Sequence, residues 1–193
     1  MKKFQLAFLL LLFAGSAYAQ FEDTKFVIGA AVGFNNDALS GVSSIGVVPS
    51  FAKTIKSDAL IGLSGGYYTT ILKNDDSNSK ETWNNLRTGI FYQKFYGVAE
   101  RVFFNWRVLA GVSFNNQGNN SSTYDNRGYN FSLVPGFNWK VMDSIILNAS
   151  LGEAGYSYQS LSSGAPNASV DIKNSQFNIR FNNPQFGVTF LIK

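Results

Sequence analysis

The residues best suited to chemistry in this chain are polar side chains that share one parity of its alternating segments. The set comprises Arg87, Gln93, Asn105, Arg107, Asn138, Lys140 and Asn148. Acidic residues are scarce there, and Glu153 is the clear case. Strict alternation places Glu153 on the opposite face, but the glycines of "GEAG" favour a bulge that would turn it to the same side. We therefore expect Glu153 to pair with Arg107 or Arg87, because an unpaired buried guanidinium is costly. The alternative is a hydrated Glu153 near the rim.

Two residue types are missing, and their absence excludes most familiar catalytic and metal-binding arrangements. The chain has no histidine and no cysteine, which removes Ser-His-Asp and Cys-His nucleophiles, histidine-ligated zinc and disulfides. Serines such as Ser64 and Ser132 are interpreted as small packing residues, so no enzymatic activity and no cofactor are predicted. Asp75, Asp76 and Asp125 lack the spacing of a calcium loop and are interpreted as solvated.

The first 19 residues have the order of a secretory signal peptide. Two lysines precede an apolar run over residues 6–14, and Ala17 and Ala19 form a small-residue cleavage site. The apolar run is too short to span a bilayer comfortably, which disfavours an anchor helix. Residues 20–193 are then predicted to form one exported domain.

The rest of the chain alternates with a period of two, which is the pattern of β-strands. In "FNWRVLAGVSF" (104–114) every second residue from Phe104 is apolar, and those between are mostly small or polar. Eight such segments are predicted, at about 24–35, 43–55, 58–71, 84–97, 101–115, 128–141, 144–159 and 175–193. Every second connection is short ("IKSD", "GVAER", "VMDS"), and the others are long and polar.

These features predict an all-β fold, an eight-stranded antiparallel up-and-down transmembrane β-barrel. Short turns at one end and long loops at the other are typical of bacterial outer-membrane barrels, with both termini periplasmic. Charged residues make up 15% and aromatic residues 16% of the chain, whereas soluble domains carry about 25% charged residues. The small and polar face is too weakly charged for a solvated exterior, which disfavours a soluble, lipocalin-like barrel.

Two prolines lie inside predicted strands, in "VVPSF" and "LVPGF". They are Pro49 and Pro135, and they occupy matching positions in two stretches that align without a gap, residues 44–66 and 130–152. Proline cannot donate a hydrogen bond to a neighbouring strand. We expect both rings to face lipid and both prolines to mark a bend or bulge near a periplasmic turn.

The order and spacing of these segments resemble the small outer-membrane β-barrel domain family common in Bacteroidetes. The resemblance is carried by the "P-S/G-F" strand with its returning strand "ALIGLSGGYY", by "IFYQKFYGVAERVFFNWRVLAGVSF" and by the closing "QFGVTFLIK". It implies a porin-like, eight-stranded barrel in a Gram-negative outer membrane, with lipid and the outer-membrane assembly machinery as partners. The chain departs from many such barrels in ending on Lys193, where they end on an aromatic residue that the machinery reads.

The function predicted from these features is a structural or surface-interaction role through the long extracellular loops. Eight strands enclose an interior just wide enough for side chains to fill, so the polar set is expected to plug the lumen. A narrow porin-like channel for small solutes or ions is the alternative. A monomer is expected, and the extracellular ligand is left unassigned. No nucleic-acid partner is expected, because the 16 basic residues exceed the 12 acidic ones only slightly and include both signal-peptide lysines.

Overall fold

The computed structural model describes residues 21, 23–37, 42–74, 79–119, 122–163, 171–180 and 184–193. Within these ranges there are ten β-strands: β1 (Phe26–Asp37), β2 (Val42–Lys56), β3 (Ala59–Asn74), β4 (Ser79–Ala99), β5 (Val102–Asn119), β6 (Ser122–Met142), β7 (Ile145–Ser150), β8 (Glu153–Ser163), β9 (Asp171–Arg180) and β10 (Gln185–Ile192). The predicted signal peptide, residues 1–19, lies outside the described residues. Among the residues that are described, no helix is long and apolar enough to cross a membrane.

The ten strands form one closed antiparallel barrel. β7 and β8 are two parts of one barrel strand, and β9 and β10 are two parts of the next, so the barrel has eight strands. The sheet closes through the pairing of β1 with β10 and of β5 with β6. The predicted eight-stranded up-and-down barrel is therefore confirmed.

Three two-residue turns, at residues 57–58, 100–101 and 143–144, define the short-turn end of the barrel. Just before each turn the register shifts, between Thr54 and Lys56, between Gly97 and Ala99, and between Lys140 and Met142. Each shift adds one residue to the incoming strand, which increases local twist and suits a narrow barrel. At the opposite end consecutive strands are joined through residues 38–41, 75–78, 120–121 and 164–170. The connections predicted at 72–83 and 116–127 are therefore mostly strand, because β3 to β6 extend into them.

The two faces of the sheet differ as the alternation predicts. Large apolar side chains point outward around the whole barrel, with exposed fractions from 36% to 70%. Examples are Ile45, Leu63, Ile90, Phe131 and Phe186. Inward positions carry mainly glycine, serine, asparagine and alanine, together with a smaller set of buried apolar residues. The exterior is therefore the more apolar surface, which is the reverse of a water-soluble barrel.

A bulge separates β7 from β8. On either side of it Gly136 pairs with Ser150 and Leu133 pairs with Ala154, so β7–β8 contributes one residue more than β6. Gly152, which lies in this bulge, has a φ of 143°, a conformation that L side chains rarely adopt. Because one added residue reverses the parity, Glu153 faces the barrel interior.

The two prolines differ in their surroundings. Pro49 pairs with Ala30 of β1. On its other side, the pairing with β3 is interrupted between Val47 and Ser50, but the register is the same before and after, so no residue is inserted. Pro135 belongs to a strand that pairs without interruption with β5, and its carbonyl accepts the Leu151 N–H at 2.9 Å. No residue is inserted at Pro49, so there is no bulge at this position, and the alternative, a bend, stays a prediction. The bulge near Pro135 lies in the facing strand, because that strand contains the glycine able to adopt a positive φ.

Candidate functional site

The interior of the barrel at the short-turn end is filled by apolar side chains. This basal cluster consists of Phe21, Val27, Ala52, Leu60, Phe91, Phe95, Phe103, Ile146 and Leu191. Phe21 precedes β1 and is only 2% exposed, with its ring 4.9 Å from that of Phe95 in an edge contact. Its N–H donates to the Ser57 carbonyl at 3.1 Å. The segment before β1 therefore folds back to close the short-turn end of the lumen.

A layer of polar side chains lies next to the basal cluster. Arg107 donates from Nε and Nη2 to the single oxygen Oε1 of Gln93, at 3.0 and 2.7 Å. Its guanidinium also lies 4.4 Å from the centroid of the Phe91 ring. No described carboxylate lies within 4.0 Å of Arg107, so an amide oxygen and a ring face balance the charge in place of an ion pair. We call Arg107, Gln93 and Phe91 the Arg107 layer.

Asparagines complete this level of the lumen. Asn138 Nδ2 donates to Asn105 Oδ1 at 2.5 Å, and Asn148 Nδ2 donates to Thr189 Oγ1 at 2.9 Å. Both bonds join different strands across short distances and rigidify the wall. The cavity left among these residues has a volume of about 20 Å³, which suits roughly one water molecule.

A larger cavity lies on the long-connection side of the Arg107 layer, and we call it the outer cavity. Its volume is about 90 Å³, and its walls are mainly polar. It is lined by Asn85, Arg87, Ser113, Asn130, Phe131, Ser132, Glu153, Gly155, Tyr156, Ser157, Gln159, Gln176 and Asn178. No residue lines both this cavity and the small one below. The Arg107 layer lines only the small cavity.

Arg87 and Glu153 both line the outer cavity, from β4 and β8 respectively. Arg87 Nε donates to Asn85 Oδ1 at 2.9 Å, and its guanidinium lies 5.1 Å from the Tyr68 ring centroid. Asn85 in turn donates from Nδ2 to Asn115 Oδ1. The oppositely charged groups of Arg87 and Glu153 share one cavity, yet the described residues contain no ion pair between them within 4.0 Å.

The structure thus separates the residues that the sequence grouped together. Gln93, Arg107, Asn138 and Asn148 line the small cavity, and Asn105 bonds to one of them. Lys140 lies at the short-turn end, with Nζ 3.9 Å from Asp143 Oδ1.

Sequence reasoning missed two features. Phe21 lies outside every alternating segment, so no periodic signal identifies it as buried. Tyr68 faces inward at the end of "GLSGGYY", where the other inward positions carry glycine or serine. Its hydroxyl accepts a hydrogen bond from Gln185 Nε2 at 3.3 Å.

The arrangement contains no recognisable catalytic or metal centre in the described part of the chain. No group of three or more acidic, histidine or cysteine side chains comes together there. The serines of the outer cavity, Ser113, Ser132 and Ser157, have no histidine to activate them, since the chain has none. What the outer cavity offers is binding chemistry: one cation, Arg87, one carboxylate, Glu153, and several amide groups.

Comparisons with known proteins show the fold and nothing finer. No protein-family model and no curated protein matches the chain. It is similar to the solved structure of the outer membrane protein OprG from Pseudomonas aeruginosa, at 11% identity over 88% of this chain and 96% of that chain, with a TM-score of 0.53.

Two further solved structures give the same result. The N-terminal β-barrel domain of Pseudomonas aeruginosa OprF matches at 13% identity over 88% of this chain and 98% of that one, with a TM-score of 0.52. Neisserial surface protein A matches at 15% identity, over 86% and 97%, with a TM-score of 0.50. The chain therefore has an outer-membrane β-barrel fold.

Proposed function

We propose that this chain is a bacterial outer-membrane protein that acts at the cell surface through its long connections, in a structural or interaction role, with a lumen plugged by side chains. The observation that carries the proposal is the outward apolar face, with Leu63 60%, Ile90 59% and Phe177 70% exposed. In water so large an apolar surface would drive aggregation, whereas in hydrocarbon it is the favoured exterior. Closure through the pairings of β1 with β10 and of β5 with β6 leaves no unpaired edge between these strands, as lipid requires.

The orientation follows from the lengths of the connections. Outer-membrane barrels place short turns in the periplasm and long loops outside. We therefore place the two-residue turns, Phe21 and Lys193 on the periplasmic side. Export by the signal peptide of residues 1–19 and insertion by the outer-membrane assembly machinery belong to the same proposal. Phe190 and Ile192 are the outward apolar residues that such machinery would meet at this C-terminus.

A surface role is supported by the lengths of the central strands. β4 and β6 are 21 residues long, and β5 between them has 18 residues. A tilted strand needs only about 9–11 residues to cross the hydrocarbon layer. The three strands therefore continue well beyond the bilayer on the long-connection side. They would present a rigid platform to the outside, beside the seven-residue connection that follows β8.

The plugged lumen is supported by two successive closures. The basal cluster closes the periplasmic end around Phe21, and the Arg107 layer separates the two cavities above it. Eight strands enclose an interior that side chains can fill, which also favours a plugged lumen. A narrow channel for small solutes or ions, the alternative function, would require both closures to open.

Two measurements test the proposal. In planar bilayers the refolded barrel should give no stable single-channel steps, and reproducible steps would favour the channel. In intact cells, trypsin should cleave at Lys173, which is exposed near the long-connection end, and should spare Lys56 at a periplasmic turn. Cleavage at Lys56 in intact cells would contradict the orientation.

A further inference from the structure

The outer cavity contains an arginine whose hydrogen-bonding capacity is only partly used. Arg87 donates from Nε to Asn85, and its guanidinium lies against the Tyr68 ring. Within the described part of the chain, no residue accepts a hydrogen bond from its two terminal nitrogens. These nitrogens form the forked donor pair that binds carboxylates in a bidentate manner. The free side of Arg87 thus matches a carboxylate.

The same cavity contains a carboxylate without a cation. Glu153 is half-buried, and it forms no ion pair within 4.0 Å with any described cation. The bulge at Gly152 is what turns it inward, at a position where strict alternation would have exposed it to the outside. A charge held inside a barrel is costly unless it is paired or solvated. Glu153 therefore matches a cation.

A third unmatched group lies in the same wall. Asn130 Oδ1 is fully buried and has no hydrogen-bond partner among the described residues. Because this oxygen has no surface open to the cavity, a bound ligand would not reach it. An ammonium group, which has three donors and no acceptor, is therefore matched by Glu153 alone among the charged groups of the cavity.

We propose that the outer cavity binds a small zwitterion of the free amino acid type. Its carboxylate would be held by the terminal nitrogens of Arg87, and its ammonium group by Glu153. The cavity volume of about 90 Å³ limits the ligand to the smallest members of the class, such as glycine or alanine. The surrounding amides supply hydrogen bonds but no further charge, so the site is neutral overall, as its ligand is. This site goes beyond the proposed surface role and does not depend on conduction.

The test is a binding measurement on the folded, mature barrel in an uncharged maltoside detergent. Isothermal titration calorimetry would compare glycine with acetate and with methylammonium, each of which carries one of its two charges. We expect glycine to bind saturably and at least about tenfold more tightly than either fragment, because both charged contacts are made together. Absence of saturable glycine binding, or equal binding of glycine and acetate, would overturn the proposal.

Two substitutions sharpen this test. In Glu153→Gln the only charged group left in the cavity is Arg87. The affinity for glycine should therefore fall by about tenfold or more, and acetate should become the better ligand. In Arg87→Gln the preference should shift to methylammonium. Asp143→Asn and Lys140→Gln are the matched controls, because they make the same charge changes at the short-turn end and should leave glycine binding unchanged.

Folding of each variant is verified by its heat-dependent shift on a denaturing gel. Glycine binding that survives both cavity substitutions in folded protein contradicts the assignment. If a variant does not fold, the comparison of the three probes on the unaltered barrel still decides the question. A surface role without glycine binding would leave the proposed function intact and refute this site alone.

Discussion

Replacing Phe21 by alanine tests how the short-turn end is closed. Phe21 lies before the first strand and is 2% exposed, so its ring attaches the segment before β1 to the barrel. Burying a phenylalanine side chain contributes about 1.5–3 kcal/mol, and its edge contact with Phe95 adds about 0.5–1.5 kcal/mol. We therefore expect Phe21→Ala to lower the free energy of unfolding by about 2–4 kcal/mol.

The size of this loss has a natural upper limit. Without its ring the segment before β1 can leave the lumen, and it then regains about 1–2 kcal/mol of backbone entropy per residue. The barrel strands themselves stay paired, so the variant should still show the heat-dependent gel shift of a folded barrel.

The assay is equilibrium unfolding by urea in detergent micelles, with limited proteolysis of the segment before β1 as a second readout. Phe26→Ala is the matched control, because Phe26 is 39% exposed on the outward face and stacks on Phe51 there. The control should lose less than Phe21→Ala and should leave the segment before β1 protected. If Phe21→Ala unfolds like the unaltered protein and resists proteolysis equally, the closure by Phe21 is refuted.

Two other predictions concern the polar layer and the bulge. Gln93→Ala removes the only oxygen that Arg107 contacts in the described lumen, so unfolding in urea should become easier by about 1.5–3 kcal/mol; an unchanged midpoint would mean that water replaces the amide fully. Gly152→Ala forces a side chain into a φ of 143° and should cost about 1–3 kcal/mol. In Gly65→Ala the added Cβ would lie 3.9 Å from its nearest neighbour, so this control should lose much less free energy of unfolding. Equal losses at the two glycines would contradict the role of backbone strain.

The barrel itself could be predicted because its two faces differ at nearly every position. Alternation over segments such as 26–34 and 104–114 locates the strands. The polar stretches 72–83 and 116–127 were wrongly predicted as connections, because their residues show no apolar alternation, and they lie mostly within β3 to β6. Register is strongly specified when one face is oily and the other is small, since a slip of one residue would exchange the faces. The same alternation placed Arg107, Gln93, Asn105 and Asn138 inside.

The sequence was less informative where both parities carry similar residues. In "IFYQKFYGVAERVFF" aromatic residues occupy both faces, so Phe91, Phe95 and Phe103 could not be recognised as the basal cluster. Pairing across the lumen was also beyond reach, because it depends on distances between strands that are not neighbours. The prediction was an ion pair of Glu153 with Arg107 or Arg87, whereas Arg107 donates to Gln93 on the adjacent strand and no described ion pair joins Glu153 to either arginine.

The two prolines inside strands, Pro49 and Pro135, illustrate a further limit of prediction from the sequence. Proline indicates where a ladder loses a donor, but not which of the two strands takes up an added residue. The added residue lies in β7–β8 because Gly152 can adopt a positive φ there. At Pro49 the ladder with β3 pauses and no residue is added.

The central claim is that the oily face of this barrel is its exterior in a bilayer. Sedimentation velocity of the mature chain, refolded with and without maltoside detergent, tests it most directly. We predict a folded monomer only when detergent or lipid is present, and large aggregates in plain buffer. A folded, soluble monomer in plain buffer would contradict the claim, and with it the proposed residence in the outer membrane.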